Sequence, residues 1–185
     1  IYASMDFPDV FEGTIKAGMK VSKQTAEISA QSQAEAFLFF ENSSTTLMSP
    51  DIYEKYVMPE IEDWCDIVHT YDKPLIQHAC GHLKDLLPLM AKTSIDAIES
   101  ITPPPTGNTE LWDAADILPE RICLIGGIDC TVFLDSNLTE LEEYVCNLTE
   151  KMKGKHFILA NSDSCPPNVE LKKFKMIGDF VQGRL

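Results

Sequence analysis

The feature that most constrains the fold is a series of five short, mainly apolar runs separated by segments with helical periodicity. The runs lack the polar and apolar alternation of a strand that faces water on one side. Continuous runs of this length are typical of parallel strands that are buried on both faces. The sequence therefore predicts an α/β fold built from successive βα units. The predicted strands are residues 36–40, 74–77, 95–98, 122–125 and 157–160.

Capping residues and prolines predict where several connecting helices begin or break. Ser49 is a suitable N-cap, and Pro50 is a suitable first helical residue. Pro59 lies within the same helical pattern and predicts a kink or break just before it. Thr139 and Glu142 have the spacing of a capping box at the start of a later amphipathic helix.

The length and the alternation of elements predict a single domain over residues 1–185. Residues 1–35 are predicted to form a helical or irregular N-terminal segment, with a helix over 23–36, and residues 36–185 carry the βα units. Both a doubly wound sheet and a (β/α) barrel have this alternation. The sequence has no GxGxxG or Walker motif, which disfavours a nucleotide-binding doubly wound sheet.

Charge and hydropathy argue against several classes of function. The formal net charge of −14 disfavours binding to nucleic acid or to an anionic membrane surface, because both partners attract basic residues. No apolar run approaches the roughly 18 residues that span a bilayer, and the first residues lack the pattern of a signal peptide. The six cysteines are irregularly spaced, which favours free or metal-bound thiols in a reducing compartment. We therefore expect a cytoplasmic protein.

Polar residues that are suited to catalysis or metal binding follow every predicted strand. In a (β/α) barrel all of these positions lie on one face, where active sites are built. This concentration at the strand ends is more informative than any single residue. The residues are Glu41, Asn42, His78, Cys80, Glu99, Asp129, Asn161, Asp163 and Cys165.

Three of these residues, His78, Cys80 and Cys165, make a plausible zinc set. Imidazole and thiolate are the ligands that Zn²⁺ prefers, and three protein ligands with an open position are typical of a catalytic site. The cysteines lie too far apart in the sequence for a structural zinc finger. The alternative is that both cysteines are small buried apolar residues.

Other residues have more than one interpretation. Glu99 is a candidate fourth ligand or proton acceptor, and Asp129 is predicted either to bind substrate or to cap its loop. His82 replaces His78 as a ligand if the following helix starts early, and Cys130 is a weaker metal candidate. The remaining cysteines fall on apolar faces and are predicted to be core residues; they are Cys65, Cys123 and Cys146.

The combination of motifs, in this order, resembles the uroporphyrinogen decarboxylase superfamily from about Ala36 to the C-terminus. The motifs are His78-Ala-Cys80-Gly81, Gly126-Gly127-Ile128-Asp129, Asn161-Ser-Asp-Ser-Cys165-Pro-Pro167, and Ser49-Pro50-Asp51 with Tyr56-Val57-Met58-Pro59. The decarboxylases of haem synthesis in this superfamily are metal-free. The cobamide-dependent methyltransferases carry His-x-Cys and a late cysteine, and the present sequence resembles that branch.

The resemblance implies that His78, Cys80 and Cys165 bind zinc. Zinc then lowers the pKa of a substrate thiol, and the thiolate attacks the methyl group of a methylated corrinoid (methylcobamide). The corrinoid is either free or bound to a corrinoid protein. We assign Glu99 and Asp129 to catalysis, and Asn161 and Asp163 to substrate binding.

The resemblance also implies a (β/α)8 barrel, of which only about five βα units are predicted here. We expect the C-terminal portion of such a barrel, completed by N-terminal strands or by pairing with another chain in a homo-oligomer. Two alternatives to methyl transfer remain open. One is decarboxylation of an acidic tetrapyrrole, which needs basic groups facing the substrate, and the other is an inactive truncated barrel that serves in assembly.

Overall fold

The computed structural model describes residues 2–184, and these residues contain a five-stranded sheet. All neighbouring strands run parallel, as expected for βα units. The strands are β1 (Phe37–Phe40), β2 (Leu75–His78), β3 (Ala97–Ile101), β4 (Cys123–Ile128) and β5 (Phe157–Asn161). The predicted α/β fold is confirmed, and all five predicted strands are present. The terminal residues Ile1 and Leu185, which the predicted domain includes, lie outside the described part.

The order of the strands in the sheet is their order in the sequence, β1-β2-β3-β4-β5. A doubly wound sheet reverses its strand order at a switch point. The described part of this sheet has no such reversal, so it has the connectivity of a segment of a (β/α) barrel wall. This supports the prediction of a partial barrel.

Helices connect the strands on the outside of this wall. A π-helical stretch over Tyr53–Val57 joins the third and fourth helices. In residues 2–184, no helix is both long enough and apolar enough to cross a membrane. The helices are α1 (Tyr2–Asp6), α2 (Pro8–Ala30), α3 (Pro50–Ile52), α4 (Met58–His69), α5 (Leu87–Met90), α6 (Leu111–Ile117), α7 (Cys130–Asp135), α8 (Leu138–Lys151) and α9 (Leu171–Val181).

One face of the sheet packs against the helices. The register pairs Gln77 with Ile98 and Ile98 with Leu124, so these three side chains point to the same side. All three are buried. On the same face Phe39 packs against Trp64 of α4, with ring centroids 5.5 Å apart.

The opposite face, which we call the open face, carries the exposed apolar side chains of the strands. Leu38 and Phe40 of β1 are 42% and 73% exposed, and Ile158 of β5 is 55% exposed. The register places His78 and Glu99 on this same face. The candidate functional residues therefore lie on a side of the sheet that the described helices leave uncovered.

The N-terminal segment is more regular than the sequence predicted. The helix α2 spans Pro8–Ala30, whereas the sequence predicted a helical or irregular segment over residues 1–35 with a helix over 23–36. Gly13 and Gly18 do not interrupt α2, because a glycine inside a helix costs only about 1 kcal/mol relative to alanine. The apolar side of α2 packs on the next helical layer, where Phe11 meets Tyr56 edge-on at 5.4 Å.

The capping box of α8 is formed by other residues than predicted. The Asn137 side chain accepts hydrogen bonds from the backbone N–H groups of Thr139 and Glu140, and Glu140 accepts from the N–H of Asn137. The predicted box of Thr139 and Glu142 is therefore wrong. Asparagine is at least as good an N-cap as threonine, and its earlier position lets the helix begin at Leu138.

Other local predictions are confirmed. The Ser49 hydroxyl accepts from the N–H of Ile52 as an N-cap. The irregularity that Pro59 predicted is the π-helical stretch Tyr53–Val57, directly before α4.

The cysteines predicted to be core residues differ in burial. Cys65 is fully buried in α4, as predicted. Cys123 is half-buried and belongs to the open face. Cys146 is exposed, so its assignment to the core is wrong: the buried side of α8 is formed by Leu141, Val145 and Leu148.

Candidate functional site

The residues singled out at the strand ends lie along one edge of the sheet. His78 is the last residue of β2, and Asn161 is the last residue of β5. Cys80 lies shortly after β2, and Asp129 follows β4 directly. Glu99 lies inside β3, because this strand continues to Ile101 beyond its predicted end. Since parallel strands end at the same edge, the fold collects these side chains on the face where barrel enzymes build their sites.

His78 and Glu99 form the central pair of this edge. They are Cα partners in the register of β2 with β3, so their side chains lie side by side on the open face. The Nδ1 atom of His78 is hydrogen-bonded to Oε2 of Glu99. The His78 ring also packs on Phe40, with centroids 5.1 Å apart, and His78 is only 7% exposed. With Nδ1 paired to a carboxylate, Nε2 is the ring nitrogen left to act as acceptor or ligand.

The condition under which His82 would replace His78 as a ligand is not met. That exchange required an early helix start, whereas α5 begins only at Leu87. The backbone of His82 is held in the loop after β2, since its N–H donates to Ser44 Oγ at 3.1 Å and its carbonyl accepts from Thr45 N at 2.9 Å.

Cys80 lies beside the pair in an acidic environment. It is half-buried, and its burial raises the pKa of the thiol to about 11. The charge of Asp163, a hydrogen bond with Asp163 and the charge of Glu99 act in the same direction. This negative charge disfavours a free thiolate and would favour a bound cation. A cation reverses the effect on the thiol, because it stabilises the thiolate form of a ligating cysteine.

The loop after β5, residues 161–167, is called the β5 loop below; it is bonded to neighbouring elements at Ser162 and Ser164, and it also has contacts within itself. The Asn161 amide donates to the carbonyl of Asp163, and the Asp163 carboxylate accepts from the N–H of Ser164 at 2.6 Å. Cys165 is exposed, and its Sγ lies 3.7 Å from the carbonyl of Pro166. The predicted substrate-binding residues Asn161 and Asp163 thus shape the loop that carries Cys165.

Cys130, at the start of α7, lies against the β5 loop. Its Sγ is 3.5 Å from the carbonyl of Ser164. Burial raises the pKa of the Cys130 thiol, and the charges of Asp163 and Asp129 add to this effect. Cys130 therefore shares its surroundings with Cys80 and the β5 loop, although its sequence position made it the weaker metal candidate.

Asp129 is fully buried and acts as the N-cap of α7. Its Oδ1 accepts from the N–H groups of Thr131 and Val132, and its Oδ2 accepts from the Thr106 hydroxyl. Burial raises the pKa of Asp129, but these hydrogen bonds outweigh burial and hold the pKa below its usual value. The capping role predicted for Asp129 is confirmed, and its assignment to substrate binding or catalysis stays a prediction.

The fit of these residues to zinc is partial. Imidazole and two thiols are the right donors, and a carboxylate on Nδ1 is the support that zinc-bound histidines commonly have. However, the structure does not gather His78, Cys80 and Cys165 into one cluster. Within residues 2–184, no group of three or more His, Cys, Asp and Glu side chains is close enough to hold a metal ion. The donors lie along the same edge of the sheet.

Several residues that hold the site have little sequence signal. Asn108, in the proline-rich loop after β3, accepts from the N–H groups of Leu83 and Lys84 and so fixes the loop after β2. Behind the site the Tyr53 hydroxyl donates to Gln77 Oε1 at 3.2 Å, in a buried contact. A polar glutamine within the apolar β2 run was the one available sign of such a contact.

The two arginines do not supply the basic side chains that would face an acidic substrate. Arg121 precedes β4 and donates to the carbonyls of Thr93 and Ile95 at the opposite edge of the sheet. Arg184 pairs with Asp179 of the C-terminal helix. Both arginines are therefore occupied away from the candidate site.

Comparisons with known proteins agree with this architecture. The sequence model of the family described as uroporphyrinogen decarboxylase (URO-D) matches residues 5–184. A solved structure of a methyltransferase from Methanosarcina mazei superposes with a TM-score of 0.79 and 18% sequence identity. The match covers 99% of this chain and 51% of the other, so this chain spans about half the length of that protein.

A second structural match is weaker. It is a truncated form of 3-deoxy-D-arabino-heptulosonate 7-phosphate synthase from Thermotoga maritima, with a TM-score of 0.48 and 15% identity over 86% of this chain and 55% of that one. A search of curated proteins finds no significant match.

Proposed function

The chain belongs to the uroporphyrinogen decarboxylase family, and on this basis we propose that it forms the zinc-binding part of a methyltransferase. The enzyme moves a methyl group from a methylated corrinoid, free or bound to a corrinoid protein, to a thiol or similar acceptor. The observation that carries the proposal is the His78–Glu99 pair beside Cys80, on the open face at the carboxyl edge of the sheet. The fold shared with the Methanosarcina mazei methyltransferase supports it.

In this proposal His78, Cys80 and Cys165 hold the zinc ion. Zinc supplies a positive charge that lowers the pKa of the acceptor thiol, so that the acceptor is a thiolate at neutral pH. The sulfur then forms a bond to the methyl carbon, and the cobalt–carbon bond breaks with both electrons remaining on the corrinoid. Glu99 keeps His78 oriented, and the β5 loop brings Cys165 to the other two donors.

The same residues favour methyl transfer over the two alternatives. Decarboxylation of an acidic tetrapyrrole needs basic side chains at the site, whereas Glu99, Asp129 and Asp163 lie there and both arginines are engaged elsewhere. An inactive assembly domain would have no need for a buried histidine–carboxylate pair on an exposed face. The open face itself supports completion of the barrel by further strands, from the same chain or from another copy.

The first test is the zinc content of the purified protein. We expect about one zinc per chain, measured by elemental analysis, with X-ray absorption showing sulfur and nitrogen ligands at the distances usual for zinc. Cys165→Ser should lose the metal. Cys146→Ser is the matched control, since Cys146 is also exposed but lies on α8 away from the site, and it should keep the metal. Metal-free wild-type protein that fails to take up added zinc would contradict the proposal.

The second test is the reaction itself. Zinc-loaded protein is mixed with methylcobalamin and a small thiol, and loss of the methylcobalamin absorption is followed together with the methylated thiol by mass spectrometry. We expect both signals to depend on Cys165 and not on Cys146. Zinc binding without any methyl transfer, combined with concentration-dependent assembly, would favour the assembly domain instead.

A further inference from the structure

Ser100 of β3 has a backbone conformation that serine rarely adopts. Its φ of 75° lies in the left-handed region, and the residue is fully buried. The pairing of β3 with β4 shifts register between Glu99 and Ile101, so Ser100 is the additional residue of a β-bulge. A non-glycine residue persists in this region only where its surroundings hold it there, and such residues are concentrated at functional sites.

The Ser100 hydroxyl is directed at Glu99. Its Oγ donates to Oε1 of Glu99 at 3.0 Å, while the other oxygen, Oε2, is bonded to Nδ1 of His78. The two carboxylate oxygens therefore have separate partners, and rotation of the carboxylate would break both bonds. In a regular strand the side chains of two successive residues point to opposite faces. The bulge at Ser100 changes this direction, so that its hydroxyl reaches Oε1 of the preceding residue.

The bulge is also connected to the other side of the site. The Thr102 hydroxyl lies 2.7 Å from the carbonyl of Ser100 and 3.2 Å from the carbonyl of Ser162 in the β5 loop. The Ser162 hydroxyl in turn accepts from the N–H of Gly127 at 3.0 Å. The position of Ser100 is therefore fixed relative to the start of the β5 loop.

We propose that Ser100 is a positioning residue, whose hydroxyl locks Glu99 so that His78 keeps its proton on Nδ1 and presents Nε2 to a metal ion. This inference rests on the proposed function in so far as the metal is zinc. Without the hydroxyl, Glu99 can rotate, and His78 can exchange its proton between the two nitrogens or flip its ring. In the other neutral tautomer the proton lies on Nε2, so Nε2 could not bind a metal ion and Nδ1 could not donate to Glu99.

The tautomer of His78 tests the proposal without any metal. In metal-free protein labelled with ¹⁵N-histidine, NMR distinguishes a protonated Nδ1 from a protonated Nε2, and His78→Gln assigns the signal. We expect wild type to show the Nδ1-protonated form and Ser100→Ala to show a mixture. Ser94→Ala is the matched control, because the Ser94 hydroxyl also donates to a glutamate, Glu62, but on the exposed surface; it should leave the tautomer unchanged.

The affinity for zinc is the second readout. Ser100→Ala should weaken zinc binding about tenfold, the effect expected for one lost hydrogen bond to a charged group. Ser100→Gly accommodates the positive φ and also lacks the hydroxyl, so it should behave like Ser100→Ala while folding without strain. If both variants keep the wild-type tautomer and zinc affinity, the bulge is only structural and the proposal is overturned. If wild type binds no zinc, the proposed function fails, and the tautomer alone decides the role of Ser100.

Discussion

The two halves of the candidate site are built in different ways. The β2–β3 half, formed by His78, Cys80, Glu99 and Ser100, is buried or half-buried, and Glu99 at its centre is hydrogen-bonded to His78 of the neighbouring strand and to Ser100 of its own strand. The β5 loop is anchored at Ser162 to Thr102 and Gly127, but it carries Cys165 on an exposed part. The pair on adjacent strands is held by the sheet, whereas the thiol of Cys165 is exposed and lies against the carbonyl of the neighbouring Pro166. Under the proposed function, we expect zinc to bring the exposed Cys165 to the donors of the β2–β3 half.

The largest effect is expected from removing one metal donor of each half. His78→Ala and Cys165→Ser should each weaken zinc binding by roughly 100-fold or more, since a site of three protein ligands loses one. Their effects on the metal-free protein should differ. His78→Ala leaves Oε2 of the partly buried Glu99 without its partner and should lower the free energy of unfolding by about 2 kcal/mol, whereas Cys165→Ser should change it by less than about 0.5 kcal/mol.

Urea unfolding in a chelator, followed by zinc titration, measures both quantities. Cys146→Ser again serves as the control for replacement of an exposed thiol. Equal destabilisation by the two site variants would mean that the β5 loop is as firmly built as the β2–β3 half, and the comparison would fail.

Thiol reactivity should separate the halves next. In metal-free protein Cys165 is exposed, whereas Cys80 is half-buried and the pKa of its thiol is raised, so iodoacetamide should modify Cys165 at least about tenfold faster. Cys146 reports an exposed thiol outside the site, and the fully buried Cys65 reports an inaccessible one. Added zinc should protect Cys165 and Cys80 and leave Cys146 unchanged, as followed by mass spectrometry of the modified peptides. Zinc that protects Cys80 alone would remove Cys165 from the ligand set.

The sequence predicted the wall of the fold better than the details of the site. The β2 run is continuous and apolar because both of its neighbours and the helical layer bury it, and such a run is readable without a structure. The pairing of His78 with Glu99 depends on the stagger of β2 against β3, which no local pattern encodes. The left-handed Ser100 is likewise invisible, since serine gives no signal for a positive φ.

The errors in the sequence predictions have physical causes as well. Cys146 follows the buried Val145 on α8, and the helical turn that buries one exposes the other. The capping box at Thr139 was wrong because Asn137, two positions earlier, offers a better cap. In both cases a small shift along a helix decides the outcome, and periodicity alone locates helix boundaries poorly.

Support from behind the site should have a moderate effect. The buried Tyr53 hydroxyl donates to Gln77 of β2, so Tyr53→Phe leaves the glutamine oxygen without this donor. We expect a loss of about 1–2 kcal/mol in the free energy of unfolding and a zinc affinity within about threefold of wild type. Tyr2→Phe, on the exposed N-terminal helix, controls for loss of a tyrosine hydroxyl. A large loss of zinc affinity in Tyr53→Phe would show that the β2–β3 half depends on the helical layer more than its own hydrogen bonds indicate.

The smallest effect is expected at Asp129, which lies between the two halves as the cap of α7. The pKa of Asp129 is held below its usual value in the folded protein, so the carboxylate stabilises the fold above the unfolded-state value, about 3.9, and this contribution is lost as the pH falls through the folded-state value. Asp129→Asn should therefore lower the free energy of unfolding by about 1 kcal/mol at pH 7, and the difference from wild type should shrink below about pH 4.

The control for Asp129→Asn is Asp135→Asn, which changes an exposed carboxylate at the other end of the same helix; it should show little difference at any pH. A constant difference between Asp129→Asn and wild type across the pH range would mean that the charge is not the stabilising element. Zinc affinity and methyl transfer decide whether Asp129 is only a helix cap or also a catalytic group. A cap contributes to stability without contacting the metal ion or the substrate. If Asp129→Asn keeps its stability but its rate of methyl transfer falls more than about tenfold, Asp129 belongs to the catalytic groups. The two halves of the site are then joined by a catalytic residue and not by a structural cap.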